Sequence, residues 1–437
     1  MYDQEEKRLI DLRKRLEKID IPLHLADEAI VAGMEKAKSE KKIKRKKRKR
    51  LITTVALCAI LLLTLITSIR ISPAFANALS SIPGIEKIVQ LLEYDKGLTS
   101  VLENEYYQKI NKTQTINNVT LTIDGAILDE SGINIFYTLT SSESLSGGTM
   151  KEINLNNKEE LPEHTVSSAY SIEGDNEKEF HDMVTYQFTD SFTFKELQFE
   201  FGLVAKINNQ EINFSIPFEL SENMKKSIPY RLNKSVEIEG QHFRIKEITV
   251  YPLRIGVKVA FDPANTKKIL GFEDLRLENE DGEVWSSIVT GTTTRHISEN
   301  EKIYYLQSNY FDKPNQLYLH INQLMAIDKE EAEVIVDTEK NKLMTVPKDG
   351  KLKLGESSKS HLDFYMDEKW EDNYNIFVSA IDANGKELSI PSTEMHNEEN
   401  KKAWFLQLEH TKYKNPLRLE LTAYPNYIEG DIRLKLK

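Results

Sequence analysis

The sequence predicts a mainly β protein: a single transmembrane helix followed by tandem antiparallel β-sandwich domains of immunoglobulin-like type, with a short helical N-terminal tail and juxtamembrane helices. Three observations predict it. Residues 51–69 form a nineteen-residue run without a charge. The ten residues before it, 41–50, hold nine basic side chains. From Asn111 onward apolar residues recur at period two, the pattern of strands with one buried and one wet face.

A helix rises about 1.5 Å per residue, so the apolar run spans roughly 28 Å, close to the hydrocarbon thickness of a bilayer. A helix also satisfies its own backbone hydrogen bonds in lipid. The rival reading is a cleaved signal peptide, because Ala74-Phe75-Ala76 has the small-x-small pattern of a cleavage site. The apolar run is longer than the roughly 7 to 15 residues of a signal core, and fifty residues precede it. An uncleaved anchor is the reading preferred, with a cut at Ala74 to Ala76 left open. Orientation follows from Lys41, Lys42, Lys44, Arg45, Lys46, Lys47, Arg48, Lys49 and Arg50, which place the N-terminus in the cytoplasm and the C-terminal mass outside. The same cluster is suited to anionic lipid headgroups. A nucleic-acid reading of this basic run fits less well beside a membrane helix.

The net charge of −11 conceals a bipolar chain. Residues 1–50 carry 17 basic and 10 acidic side chains, and residues 51–437 carry 41 and 59. An acidic outer part is a poor match for nucleic acid. The one cysteine, Cys58, falls in the apolar run, so the outer part has neither a disulfide framework nor a cysteine metal site. A large outer region without disulfides points to a bacterial envelope.

Residues 1–50 are expected to be a helical, basic, cytoplasmic tail. Leu9, Leu12, Leu16 and Ile19 recur at spacings of three and four among charged residues, an apolar seam suited to the groove of a partner protein. The bland alternative is a disordered or membrane-lying tail. Residues 70–110 read as an extracytoplasmic helical stalk, with a short helix expected over Leu98 to Ile110. Alternating strands then follow in three similar units, at 111–222, 230–342 and 343–437, the last being either a third sandwich or the completion of the second. Each unit closes on a matching pair of strands. They are 195–201 with 212–216, 315–321 with 332–336, and 415–421 with 432–436.

No catalytic, cofactor or metal constellation is evident. His164, His181, His242, His296, His320, His361, His396 and His410 show no zinc spacing. No nucleophile elbow or phosphate-binding glycine loop is present. Acidic runs such as 278–283 and 328–333 read as solvated loops. Two aromatic clusters, Tyr304/Tyr305/Tyr310/Phe311 and Trp370/Tyr374, are candidates for a glycan or peptide surface, against the simpler reading as core.

The run Arg70-Ile-Ser-Pro-Ala-Phe-Ala-Asn-Ala-Leu-Ser-Ser-Ile-Pro-Gly84 resembles the signature of the bacterial membrane proteins of domain of unknown function 4179. The stretches Asp95-Lys-Gly-Leu98, Val119 to Asp124 and Asp129-Glu-Ser to Thr138 are similar to it as well. Phe272-Glu-Asp-Leu-Arg-Leu and Asp281-Gly-Glu-Val-Trp285 resemble the immunoglobulin-like module often found behind that domain. The resemblance implies a single-pass protein of a Gram-positive cell membrane, similar to anti-sigma factors, and it implies no catalytic residues. The expected partners are membrane lipid and an extracytoplasmic-function sigma factor at the tail. The alternative function is a non-signalling structural or ligand-binding envelope protein.

Overall fold

The computed structural model describes residues 2–18, 34, 88, 91–92, 95–287, 293–368, 370, 373–398, 400–409 and 412–437. The chain divides into two compact units, Met1–Ser72 and Pro73–Lys437. The basic block 41–50, the apolar run 51–69, Ile19, Ala74 and Ala76 lie outside the described residues. Among the described residues no helix is long and apolar enough to cross a membrane.

In the first unit, helix α1 spans Tyr2–Glu17. Asp3 and Glu5 in its first turn and Lys14 and Arg15 in its last complement the helix dipole. Arg13 pairs with Glu17 at 3.1 Å and Arg15 with Asp11 at 3.6 Å, both at helical spacing four.

The second unit is almost wholly antiparallel β-structure. Helix α2 (Lys96–Glu103) precedes it. The first sandwich contains β1 (Gln108–Ile116), β2 (Val119–Asp129), β3 (Gly132–Ser141), β4 (Thr149–Asn157), β5 (His164–Ser167), β6 (Glu179–Phe188), β7 (Gln198–Ile207) and β8 (Gln210–Glu219). One sheet has the order β1-β2-β3-β6-β5 and the other β4-β7-β8. Their inner faces share one core that includes Leu121, Tyr137, Tyr186, Phe201 and Phe214. In β8, Ile212, Phe214, Ile216 and Phe218 are buried while their neighbours are exposed, so its alternation is that of a half-wet strand.

The second sandwich begins with β9 (Ile228–Ile238), β10 (Gln241–Val250), β11 (Ile255–Phe261), β12 (Lys267–Asn279) and β13 (Val284–Trp285). It continues with β14 (Thr294–Ser298), β15 (Glu301–Leu306) and β16 (Leu317–Asp328). The third is built from β17 (Glu333–Asp337), β18 (Lys342–Thr345), β19 (Leu352–Leu354), β20 (His361–Met366), β21 (Ser379–Ile381), β22 (Glu387–Ser389), β23 (Ser392–Glu398), β24 (Lys401–Gln407) and β25 (Leu417–Glu420). Strand β26 (Tyr427–Lys435) then returns to the second sandwich and pairs with β16.

This return corrects the expected division of the chain. The strand at 332–336, assigned from sequence to the second unit, is β17 and joins β25 in a sheet of the third. The strand at 432–436, assigned to the third unit, belongs to β26 and its end, and closes the sheet β13-β12-β16-β26 of the second. Both segments carry the same alternation, and alternation fixes which face is buried but not which neighbour is chosen. The third sandwich is therefore inserted between two adjacent strands of the second.

Three hairpins turn on two residues, both with positive φ: Asn117-Asn118, Asn208-Asn209 and Glu239-Gly240. That geometry follows the right-handed twist of paired strands, and Asn and Gly adopt it at least cost. Strands β2 and β10 each skip one beat of the alternation. The register shifts between Ile123 and Gly125 in one and between Ile245 and Glu247 in the other. A bulge at these points moves the following apolar residues back onto the core face.

The expected stalk differs too. Helix α2 covers 96–103 rather than 98–110, and residues 108–110 already belong to β1. Its Leu98, Val101 and Leu102 pack with Ile88 and Leu92 onto Ile127, Phe136 and Met183, covering the outer face of the first sheet. This explains why eight consecutive residues of β3 are buried where a half-wet strand would alternate.

Candidate functional site

The densest polar construction among the described residues lies where the first two sandwiches meet. The β2–β3 turn, the end of β6 with residues 189–191, and the β10–β11 turn converge there, and α2 packs across them. Asp129 ends β2 and is fully buried. Its Oδ2 accepts the backbone N–H of Leu253 at 2.7 Å, and its Oδ1 accepts the N–H of Ser131 at 2.6 Å and the Ser131 hydroxyl at 2.7 Å. Burial pushes this carboxyl up from its ordinary pKa, while the three donors and the nearby Arg254 hold it down.

Arg254 is the other half of the clasp. Its side chain is buried, and Nη2 donates to the carbonyls of Ser131 at 2.8 Å and Phe188 at 3.0 Å. Ser131 thus links the two charges, giving hydrogen to Asp129 and receiving it from Arg254. The guanidinium lies 4.1 Å from the centre of the Tyr305 ring, a cation–π distance. Burial lowers its pKa, and Tyr305 and Asp129 oppose that shift.

Around this centre the contacts continue. Glu130 Oε2 accepts from the backbone N–H and hydroxyl of Ser227, at 3.0 and 2.6 Å. The Tyr106 hydroxyl donates to Leu128 O at 2.8 Å and accepts from Lys225 N–H at 2.9 Å. Asp95 caps α2 by accepting the Leu98 N–H at 2.9 Å. Gly97 lets the helix backbone touch the backbone of Ser308: a Cβ there would stand 2.4 Å from Ser308 N. Lys96 pairs with Glu283 at 2.6 Å and lies 4.2 Å from the Trp285 ring centre, tying α2 to the second sandwich.

A cleft of about 140 Å³ opens beside Arg254. Its floor is the outer face of the second sandwich, where Thr249, Gly256 and Tyr305 stand in one cross-strand row and Glu247, Lys258, Ile303 and Arg295 in the next. Residues 188–191 of the first sandwich form the opposite wall. Arg295 Nη1 donates across the cleft to Thr189 O, and to Asp190 at 3.2 Å. Ser191 and Tyr251 share a hydroxyl hydrogen bond of 2.6 Å.

The residues picked out from sequence fall elsewhere. Leu9, Leu12 and Leu16 lie along one face of α1 with 66, 55 and 65% of their surface exposed. Tyr304 and Tyr305 are buried, and Phe311 packs on Tyr106 at the junction. Trp370 packs at a tilt against Tyr374 and Trp404 in the third core. These aromatics serve mainly as packing, and Tyr305 alone of those named also lines the cleft. His320 sits 3.5 Å from Glu278, and burial lowers its pKa. Among the described residues no group of three or more His, Cys, Asp or Glu is placed to hold a metal ion.

In the sequence, Asp129 stands between two alternating runs and Arg254 at the head of another, with no local motif to mark either as a site residue. The available signals were a cation set between Leu253 and Ile255, and a glycine, Gly256, inside an apolar strand.

Residues 44–141 match the family model described as Domain of unknown function (DUF4179), and residues 227–354 match Family of unknown function (DUF5643). The clasp joins the two matched regions, since Asp129 and Ser131 lie in the first and Leu253 and Arg254 in the second. The chain is similar to the crystal structure of the conserved domain protein from Bacillus anthracis. That similarity has 16% identity, covers 55% of this chain and 84% of that one, and gives a TM-score of 0.39. It is also similar to the YadV chaperone, with 11% identity, 48% and 94% coverage and a TM-score of 0.18. No curated protein matches the chain significantly.

Proposed function

With the DUF4179 and DUF5643 regions on one chain, we propose that this is a single-pass membrane regulatory protein of anti-sigma type. Residues 51–69 are its membrane span, with the N-terminus cytoplasmic. The outer sandwiches, of immunoglobulin-like type, sense the envelope. The tail binds an extracytoplasmic-function sigma factor through Leu9, Leu12, Leu16 and Ile19.

The observation that carries this reading is the apolar seam of α1. Three leucines on one face of a sixteen-residue helix are more than half exposed, and the helix belongs to a compact unit separate from the sandwiches. Burying each leucine in a partner's groove is worth about 1.5–3 kcal/mol. Pull-down of the candidate sigma factor by the full-length protein tests it. Replacing Leu12→Asp and Leu16→Asp together should weaken capture by roughly a hundredfold or more. Capture unchanged by that double variant removes the assigned surface, and no capture by the unaltered chain removes the partner.

A second reading, a structural or ligand-binding envelope protein without signalling, is favoured by the way the second and third sandwiches share strands. Under it, scrambling residues 1–35 leaves function intact.

A further inference from the structure

The cleft beside Arg254 has the shape and charge of a binding site, and four observations converge on it. The first is Gly256. It lies inside β11, between β10 and β15, and its φ is not in the left-handed region. Nothing in the backbone geometry demands glycine there, yet glycine weakens a strand interior and often marks close approach of a ligand. The atoms nearest to a Cβ built at Gly256 would be side-chain atoms, Ile303 Cγ2 at 3.3 Å and the Tyr305 ring at 3.7 Å, and no backbone atom is among them. What the missing side chain leaves is the floor of the cleft.

The second is the charge of the lining. Arg254, Lys258 and Arg295 face Asp190 and Glu247, but Lys258 is bonded to Glu301 at 3.0 Å and Arg254 is answered by Asp129, so Arg295 is the cation of the lining that keeps donors to offer. The third is the fork of Arg295. Nη1 is occupied by Thr189 O and Asp190, while Nε and Nη2 have no partner among the described residues. Those two nitrogens form the side-on edge of a guanidinium, whose parallel N–H bonds match the two oxygens of a carboxylate. The fourth is Arg254 beneath. Its Nη2 is spent on two carbonyls and its remaining nitrogens are sealed from solvent. It therefore makes no direct contact in the cleft, and its charge is answered by Asp129.

We propose that this cleft binds a carboxylate, carried by a small acid of amino-acid size or by the free end of a peptide. Arg295 takes the carboxylate through its Nε and Nη2 edge, and Gly256 keeps the floor beneath it clear of a side chain. Because the walls come from two sandwiches, an occupied cleft ties them together. The inference rests on the sensing half of the proposed function and not on the cytoplasmic partner, so the pull-down above and the experiment below fail independently.

The test is thermal unfolding of the full-length chain in mild detergent, at constant ionic strength. Acetate, propionate, alanine and a short peptide are compared with chloride, phosphate and the same peptide amidated at its C-terminus. Carboxylates are expected to raise the melting temperature by about 2–4 °C at tenfold their Kd, and chloride and the amidated peptide to leave it unchanged. A shift from the small acids identifies a free acid as occupant, and one from the peptide alone identifies a chain end. Gly256→Val should abolish the shift in a chain whose unliganded melt is measured alongside, and Arg295→Gln should raise Kd tenfold or more. If Gly256→Val does not fold, Gly256→Ala, with one added methyl group, should still weaken binding. An equal shift with chloride, or a carboxylate shift that survives a folded Gly256→Val, overturns the proposal.

Discussion

The two junctions within residues 73–437 are built by opposite means. Between the second and third sandwiches the chain crosses twice, from β16 to β17 and from β25 to β26. The long strands β12 and β16 also run through both cores. Phe272, Leu275 and Leu324 fill the second core, while Leu270, Met325 and Ile327 on the same strands fill the third. That junction is one sheet, β13-β12-β16-β26, whose strands give apolar side chains to both cores. Between the first and second sandwiches the chain crosses once, and the joint is polar, made from the clasp of Asp129, Ser131 and Arg254 with α2 laid across it. A shared sheet resists bending along its length. A clasp depends on a few hydrogen bonds and changes when those change. If the outer part of the molecule responds to anything, the first junction is where a small ligand has leverage.

The largest effect is expected at Asp129. Asp129→Ala leaves the N–H of Leu253, the N–H and hydroxyl of Ser131 and the Arg254 guanidinium without their buried acceptor or counter-charge. Breaking one side of a buried charged network costs about 3–5 kcal/mol. The chain's three tryptophans, Trp285, Trp370 and Trp404, all lie in the second and third cores. Far-UV circular dichroism, which follows all three sandwiches, should therefore lose amplitude before tryptophan fluorescence in a urea titration of the variant. Coincident curves with a loss below about 1 kcal/mol would show that the clasp does not couple the two sandwiches.

A smaller effect is expected at Gly97. In an ordinary helix Gly→Ala gains about 1 kcal/mol. Here the new methyl group meets the backbone of Ser308 at 2.4 Å, and backbone cannot step aside. Gly97→Ala should cost about 1–3 kcal/mol instead. The sign of the change, read from the urea midpoint, shows whether α2 is bound to the second sandwich or merely rests near it.

The contrast between the junctions also shows which features were legible in the sequence. Hairpins were legible, because Asn208-Asn209 between two alternating runs specifies its own turn. The apolar seam of Leu9, Leu12 and Leu16 was legible for the same reason: its period is local. The skipped beat at Lys246-Glu247 was visible as a broken alternation, although not as a bulge. The clasp was not legible. Asp129 and Leu253 are 124 positions apart, and nothing near Asp129 shows that a second sandwich will present an N–H to it. The exchange of β17 and β26 was hidden because both obey one pattern, and only the surrounding sheets decide which strand each one joins. The burial of β3 on both faces was hidden too, since its cover, α2, comes from a different period.

A pH-dependent effect tests the apolar junction through a buried cation. Lys302 on β15 is 5% exposed, and its Nζ donates to Ile269 O at 3.3 Å and Leu270 O at 3.2 Å on β12. Burial, helped by the charge of Lys268 and opposed by Glu420, brings its pKa down to about 8 from the ordinary 10.5. Between these values the unfolded chain holds a proton that the folded chain has released, so stability rises with pH through that window. The slope cannot exceed about 1.4 kcal/mol per pH unit, which limits the gain from pH 8 to 10 to roughly 2–3 kcal/mol. Lys302→Met removes the titration, so the difference in urea midpoint between the two chains should move in favour of the unaltered one as the pH is raised. A difference that stays flat would mean that Lys302 keeps its charge inside the junction. The second and third sandwiches would then be joined by a buried ammonium held on two carbonyls as well as by shared strands, and the contrast with the polar clasp would narrow.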